Sequence, residues 1–163
     1  LNELIRPTID AFADRKPLVV VATGGAPADS LGALPGNVRV AEFLPYTELL
    51  PRTSVMVTNG GYGGAQFALR HGVPLVVAPG KEDKVEVAAR IAWSGVGVRL
   101  RHQRPTPEEL RKAVGRVLAD PSYAQAAQRV GAEIVASPGA AGFARVVDEA
   151  ICAVSPVEPC PTA

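Results

Sequence analysis

Residues 58–79 read TNGGYGGAQFALRHGVPLVVAP, and this stretch decides the fold. Thr58 ends a strand, Gly60, Gly61, Gly63 and Gly64 form a turn, a short helix runs to about His71, and Leu75–Ala78 is a second apolar strand. Four glycines where a helix begins strip side chains from the turn and leave backbone N–H groups facing outward. Those donors, together with the positive end of the helix dipole, suit a phosphate or diphosphate. The competing reading is a plain βα turn in which Gly60 and Gly61 only supply positive φ. The spacing follows neither GxGxxG nor GxxxxGK[ST], so it gives no support to a nicotinamide-type site or a triphosphatase loop.

The flanking chain has the same character. Leu18–Thr23 (LVVVAT) is a continuous apolar run ending in Gly24-Gly25, the pattern of a buried parallel strand and its loop. Asn37–Phe43, Ser54–Thr58 and Gly97–Leu100 read as further strands. Helices are expected over residues 1–13, with apolar Leu1, Leu4, Ile5, Ile9 and Phe12 interrupted by Pro7, and over 46–50, 63–71, 83–93, 106–118, 122–136 and 141–153. Gly72 is placed to cap the third of these. Thr106, Pro107 and Glu109 spell a capping box. Short apolar strands alternating with helices predict an α/β fold, a Rossmann-like doubly wound parallel sheet over 1–153, with 154–163 a flexible Pro-rich tail. Ligands of such sheets bind beyond the C-terminal strand ends. The loops there are 24–29, 44–47, 59–64 and 79–84.

Composition narrows the function. The 163 residues are enough for one domain with a real core, and 47% hydrophobic against 20% charged residues is a globular balance. A net charge of +1 and 5% aromatics argue against a nucleic-acid partner. Cys152 and Cys160 have no CxxC or neighbouring His and read as two unrelated thiols, so neither a metal site nor redox chemistry is expected. No apolar run approaches the roughly 18 residues of a membrane span. The opening LNELIRPTIDAF is amphipathic and lacks a basic start and apolar block, so a cytoplasmic location is expected. The chain begins with Leu, which fits either trimming or a piece of a longer polypeptide.

The order and spacing of FLPYTELLP, VTNGGYGGAQFALRHGVPLVVAP, EDKVEVAARIAWSGVGVRL and TPEELRKAVGRVLADPSY resemble the C-terminal half of a GT-B fold, family 1-type glycosyltransferase. The similarity runs from about Leu18 to Ile151. It is to the UDP- or dTDP-sugar dependent group that includes bacterial macrolide and natural-product enzymes. It implies that this chain is the donor-binding half, and that an N-terminal domain, absent from it, holds the acceptor and the catalytic base. No catalytic residue is then expected here, and no cofactor or metal. Carried over residue by residue, the resemblance places Thr23, Gly24 and Gly25 in the first βα loop near the donor phosphates. It places Phe43 and Leu44 against the base, whose edge a backbone N–H and C=O would read, although core packing competes for Phe43. Asn59, Gly60 and Gly61 fall on the diphosphate motif, and Glu82, Asp83 and Lys84 on the loop that binds the sugar hydroxyls. A carboxylate such as Asp83 can accept from two vicinal hydroxyls; the competing role is a helix N-cap.

Three positions depart from the family pattern. Asn59 stands where relatives usually carry His, Gly64 where they carry Ser or Thr, and Lys84 where they carry Gln. Backbone N–H groups of Gly63, Gly64 and Ala65 would then replace a hydroxyl, and the Lys84 charge would restore attraction for phosphate. The departures leave the sugar identity open. Of the remaining residues, His71 reads as a partner for the helix C-terminus, His102 as solvated and Trp93 as core, while Tyr62 borders the donor or is exposed.

The expectation is therefore an inverting, metal-independent glycosyltransferase acting on a small-molecule or lipid acceptor, inactive as this fragment. The alternatives are half of a nucleotide-sugar 2-epimerase, or a non-catalytic partner protein that kept the scaffold.

Overall fold

The computed structural model describes residues 3–154. The expected tail, and Cys160 within it, lie outside the described residues. Five short strands, β1 (Val19–Ala22), β2 (Val38–Ala41), β3 (Met56–Thr58), β4 (Leu75–Val77) and β5 (Gly97–Arg99), alternate with helices. The helices are α1 (Ile5–Phe12), α2 (Tyr46–Leu49), α3 (Tyr62–Arg70), α4 (Lys84–Trp93), α5 (Pro107–Ala119), α6 (Pro121–Ala136) and α7 (Gly139–Val154). Single 3-10 turns cover Ala28–Leu31 and Leu50–Arg52.

All strand pairs are parallel, as the βαβ pattern requires. They form two hydrogen-bonded groups, β1–β2 and β3–β4–β5. The sequence implied the parallel α/β architecture but not this division.

The core centres on β4, whose Leu75, Val76 and Val77 are all fully buried. Alternation along the strand sends Leu75 and Val77 to one face, against Leu69, Ile91 and Ala127, and Val76 to the other, against Val114, Val117 and Tyr123. A separate cluster of Ile9, Val21, Leu31 and Val38 holds α1 to the β1–β2 pair.

Local sequence accounts for the helix ends. Pro7 falls in the first turn of α1, where its missing N–H costs no helical bond. His71 is the C-cap of α3, followed by Gly72 at φ +69°. Gly72 N–H donates to the Leu69 carbonyl at 2.8 Å and Val73 N–H to that of Ala68 at 3.0 Å. This is the paired closure that favours glycine after a helix.

The Thr106 capping box is complete. The Thr106 hydroxyl accepts from Glu109 N–H at 3.2 Å, and Thr106 N–H donates to the Glu109 carboxylate at 2.8 Å. The second bond, then the Thr106 hydroxyl, hold the Glu109 carboxyl below its ordinary range. A depressed folded-state value stabilises the fold above the ordinary carboxylate range and is lost as pH falls through the lowered value. Thr106→Ala is expected to cost about 1 kcal/mol at neutral pH. It should also remove part of the acid dependence, which urea unfolding at neutral pH and near pH 3 would show.

Two expectations are corrected. Trp93 is not core but 90% exposed. The buried stripe of α4 runs through Ala88 and Ile91, and at about 100° per residue Trp93 lies roughly opposite Ile91. Cys152 is disulfide-bonded rather than an unrelated thiol.

Candidate functional site

The C-terminal strand ends gather the predicted loops into two neighbouring structures. The first is the glycine turn. Gly60 adopts φ +89°, and a Cβ there would lie 3.1 Å from both the Lys84 carbonyl and Val77 Cγ1. Only glycine satisfies both the backbone angle and this close approach. The Thr58 hydroxyl accepts from Gly60 N–H and the Asn59 amide oxygen from Gly61 N–H, each at 3.3 Å. With its oxygen engaged in the turn, Asn59 keeps its NH₂ as a donor.

Gly61 is the N-cap of α3 and supplies no capping side chain. Ala65 N–H donates to the Gly61 carbonyl at 3.1 Å. The N–H groups of Tyr62, Gly63 and Gly64 precede that bond and have no partner among the described residues. The donor set is thus Tyr62, Gly63 and Gly64. Ala65, expected in it, is withdrawn because its N–H closes the first helical turn and its side chain is buried.

The loop after β4 is tied to this turn. Gly80 N–H donates to the Asn59 carbonyl at 3.0 Å. The Lys84 side chain packs across Gly80, whose Cβ would come within 2.9 Å of Lys84 Cδ. Lys84 Nζ stands 3.6 Å from the Glu82 carboxylate. Asp83 precedes α4 but makes no capping bond. Its backbone is already helical there, which denies the carboxylate the geometry of an N-cap. The capping role expected as the competitor for Asp83 is not realised, and its side chain is exposed.

The second structure is a cavity of about 380 Å³ lined by Ala22, Gly24, Glu42, Phe43, Leu44, Tyr46, Thr47 and Phe67. Phe43 is 75% exposed, so core packing is not its role. Its ring edge rests over Gly25, where a Cβ would meet Phe43 Cζ at 3.2 Å. Tyr46 and Phe67 meet edge to face, centroids 6.0 Å apart. Phe67 belongs to α3, about 7.5 Å along the helix from Tyr62, so one helix serves both structures. Tyr46, Phe67 and Glu42 were not singled out from the sequence; the cluster of aromatics around the loop 44–47 was the available signal.

Thr23, Gly24 and Gly25 turn out to be shape rather than donors. Their N–H groups all bond to β2 and its extension, Thr23 to Ala41 and both glycines to the Glu42 carbonyl. The Thr23 hydroxyl donates to the Ala26 carbonyl. Of the three only Gly24 lines the cavity, and none offers a free amide to a phosphate. Tyr62 is exposed and His102 is exposed, as expected for the latter. No described helix is long and apolar enough to cross a membrane.

Comparison with known proteins places this geometry. Residues 6–150 match the family described as Erythromycin biosynthesis protein CIII-like, C-terminal domain. The chain is 50% identical over 135 residues to 4'-demethylrebeccamycin synthase of Lentzea aerocolonigenes, covering 83% of this chain and 32% of that protein. It superimposes on the calicheamicin glycosyltransferase CalG4 with a TM-score of 0.82 at 33% identity, over 93% of this chain and 40% of that one. The glycosyltransferase VinC, solved in complex with dTDP, gives a TM-score of 0.72 at 34% identity, over 82% of this chain and 34% of that one. The chain therefore spans about a third of the length of the curated relatives it matches, 32% in the case of the synthase.

Proposed function

The chain belongs to the Erythromycin biosynthesis protein CIII-like C-terminal domain family, and from that premise we propose that it is the donor-binding half of a glycosyltransferase that uses a dTDP- or UDP-sugar. The observation that carries this reading is the juxtaposition on α3 of three uncommitted N–H groups, at Tyr62, Gly63 and Gly64, with a wall of the Phe43 cavity. A nucleoside diphosphate needs both, an anion cradle and an apolar slot for its base, a helix turn or two apart. That VinC was solved with dTDP supports the same ligand class.

In this reading Phe43 stacks on the base and the main chain at Phe43–Leu44 reads its edge. The α3 amides, the Asn59 NH₂ and Lys84 face the diphosphate, and Asp83 with Glu82 accepts hydrogen bonds from the sugar hydroxyls. A base on the N-terminal domain takes the proton of an acceptor hydroxyl. The acceptor oxygen bonds to the anomeric carbon as the bond to the diphosphate breaks, and the diphosphate leaves with the electron pair. A single displacement inverts the anomeric centre. Charge growing on the leaving group is met by fixed N–H dipoles and by Lys84, positive charge that fits a mechanism without a metal. The acceptor is a small molecule or a lipid. The exposed apolar face of α7, with Phe143, Val146 and Ile151, supports burial against the N-terminal domain.

Calorimetric titration with dTDP, UDP, GDP and UMP tests the reading. Selective uptake of dTDP or UDP is expected. Asn59→Ala should weaken it about tenfold, the effect of one charge-assisted hydrogen bond. Asp83→Ala should leave the free diphosphate unaffected and weaken only the intact sugar nucleotide. Equal affinity for UMP and UDP would remove the diphosphate from the α3 terminus, and an Asp83→Ala effect on free UDP would remove that residue from the sugar.

A further inference from the structure

Helix α4 has a second apolar face. Its inner stripe, Val87, Ala88 and Ile91, packs into the core. On the outer side Val85 is 43% exposed and Trp93 90% exposed, with Ala89 and Ala92 exposed between them. At about 100° per residue these four positions fall within a sector of roughly 100°. An apolar stripe of that width is what a helix turns toward a core. Among the described residues α4 packs on β5, and nothing covers this side. Trp93 is the one tryptophan of the chain, and a side chain of that size brings about 150–250 Å² to a contact. Left in water beside three other apolar side chains, it marks an interaction surface.

The first clue to the occupant is size. The stripe is centred on Ala89. Val85 stands about one turn before it and Trp93 about one turn after, each roughly 40° to one side. Turned end over end about Ala89, the helix puts Trp93 beside the place that Val85 held. Two copies crossing antiparallel at Ala89 therefore set each large ring next to Val85 of the second copy. Alanine at the crossing lets the backbones approach to the close end of the roughly 8–10 Å range of helix pairs.

The second clue is charge. One flank of the stripe carries Glu86 and Arg90, paired within the chain at 2.8 Å and both exposed. Along the axis Glu86 lies about 4.5 Å before Ala89 and Arg90 about 1.5 Å after it. The same end-over-end turn brings Glu86 of each copy to within about 3 Å of the height of Arg90 of the other, on the same flank. Two intrachain pairs become a ring of four alternating charges. A two-fold contact requires such self-complementarity, the same patch meeting itself. A net charge of +1 leaves two copies little repulsion to overcome.

We propose that the outer face of α4 is a homodimer contact, with two copies of the chain crossing antiparallel at Ala89. The contact stands independently of the donor-binding reading and does not use the face of α7. Two tryptophans with their valines and alanines reach only the low end of specific interfaces, below about 1,200 Å², so the dimer is weak and depends on concentration.

Sedimentation equilibrium from about 5 to 500 µM, with tryptophan emission read on the same samples, tests it. The mass is expected to rise from one copy toward two. The emission should shift to shorter wavelength in step, as the single tryptophan leaves water. Trp93→Glu and Ala89→Arg should each stay monomeric, and at these exposed positions the melting temperature should stay within a few degrees of the parent. Glu86→Arg and Arg90→Glu each put four like charges in the ring and should weaken the dimer at least about tenfold. The two combined restore the alternation and should bring the dissociation constant back to within about threefold of the parent. Phe143→Asp, on α7, should leave association unchanged. A chain that is monomeric over the whole range overturns the proposal. Association that survives Trp93→Glu but is lost in Phe143→Asp overturns it and assigns the contact to α7. A double charge reversal no better than the single ones overturns the antiparallel crossing at Ala89.

Discussion

Gly131→Ala is expected to destabilise the fold by about 3 kcal/mol, while Gly115→Ala stabilises it by about 0.5–1 kcal/mol. Both glycines lie inside helices, Gly131 in α6 and Gly115 in α5. Intrinsic propensity treats them alike, since alanine loses less backbone freedom than glycine on entering a helix. Their surroundings differ. A Cβ on Gly131 would sit 2.2 Å from the Leu69 carbonyl oxygen and 3.3 Å from its carbon. That carbonyl is fixed by the Gly72 bond that closes α3, so the overlap cannot be relieved by a side-chain rotation. Either α6 lifts off α3 or the α3 terminus unwinds, and Ala127 and Leu69 are buried in that seam. A Cβ on Gly115 meets nothing within 4 Å. Urea unfolding of the two variants beside the parent gives both signs at once. A Gly131→Ala variant as stable as the parent would mean the α3–α6 approach is not this close.

Phe43→Ala is expected to raise the Kd for dTDP or UDP by roughly 10- to 100-fold, since stacking of a base on an aromatic ring contributes about 1–3 kcal/mol. The ring is 75% exposed and its edge lies over Gly25, so its removal leaves no core cavity. Melting temperature should stay within a few degrees of the parent, which separates the binding effect from unfolding. Phe43→Trp should keep the affinity by keeping a flat ring over the cavity. An unchanged Kd in Phe43→Ala would place the base elsewhere and leave the diphosphate cradle to be tested through Asn59.

The strands, the helices and the capping box at Thr106 were legible in the sequence because each depends on neighbours within a turn or two. LVVVAT and LVVA read as apolar strands; LVVA is fully buried, whereas the first keeps only Val21 buried and leaves Leu18 and Val20 exposed, and Thr106 and Glu109 sit at the one spacing that lets each reach the other's N–H. The glycine turn was legible for the same reason: Gly60 is held by Thr58 and Gly61 by Asn59, two residues away in both cases. The site was read less fully. Phe67 and Tyr46 meet across the cavity from positions 21 residues apart in the chain, and Trp93 looked like core because its type outweighed its place on the helix.

What the sequence alone determined is local: which segments pair apolar residues with strand or helix period, where helices start and stop, and where N–H groups crowd at a glycine turn. Only the tertiary structure decided which of those groups remain open. Gly24 and Gly25 look as free as Gly63 and Gly64 in the sequence, yet the first pair bonds to the Glu42 carbonyl and the second pair does not. The partner of an amide, like the neighbour of Gly131 or the strand group to which β1 belongs, is set by chain brought close through folding. Sequence periodicity records the face a residue presents, and the contact that consumes or frees it comes from residues far along the chain.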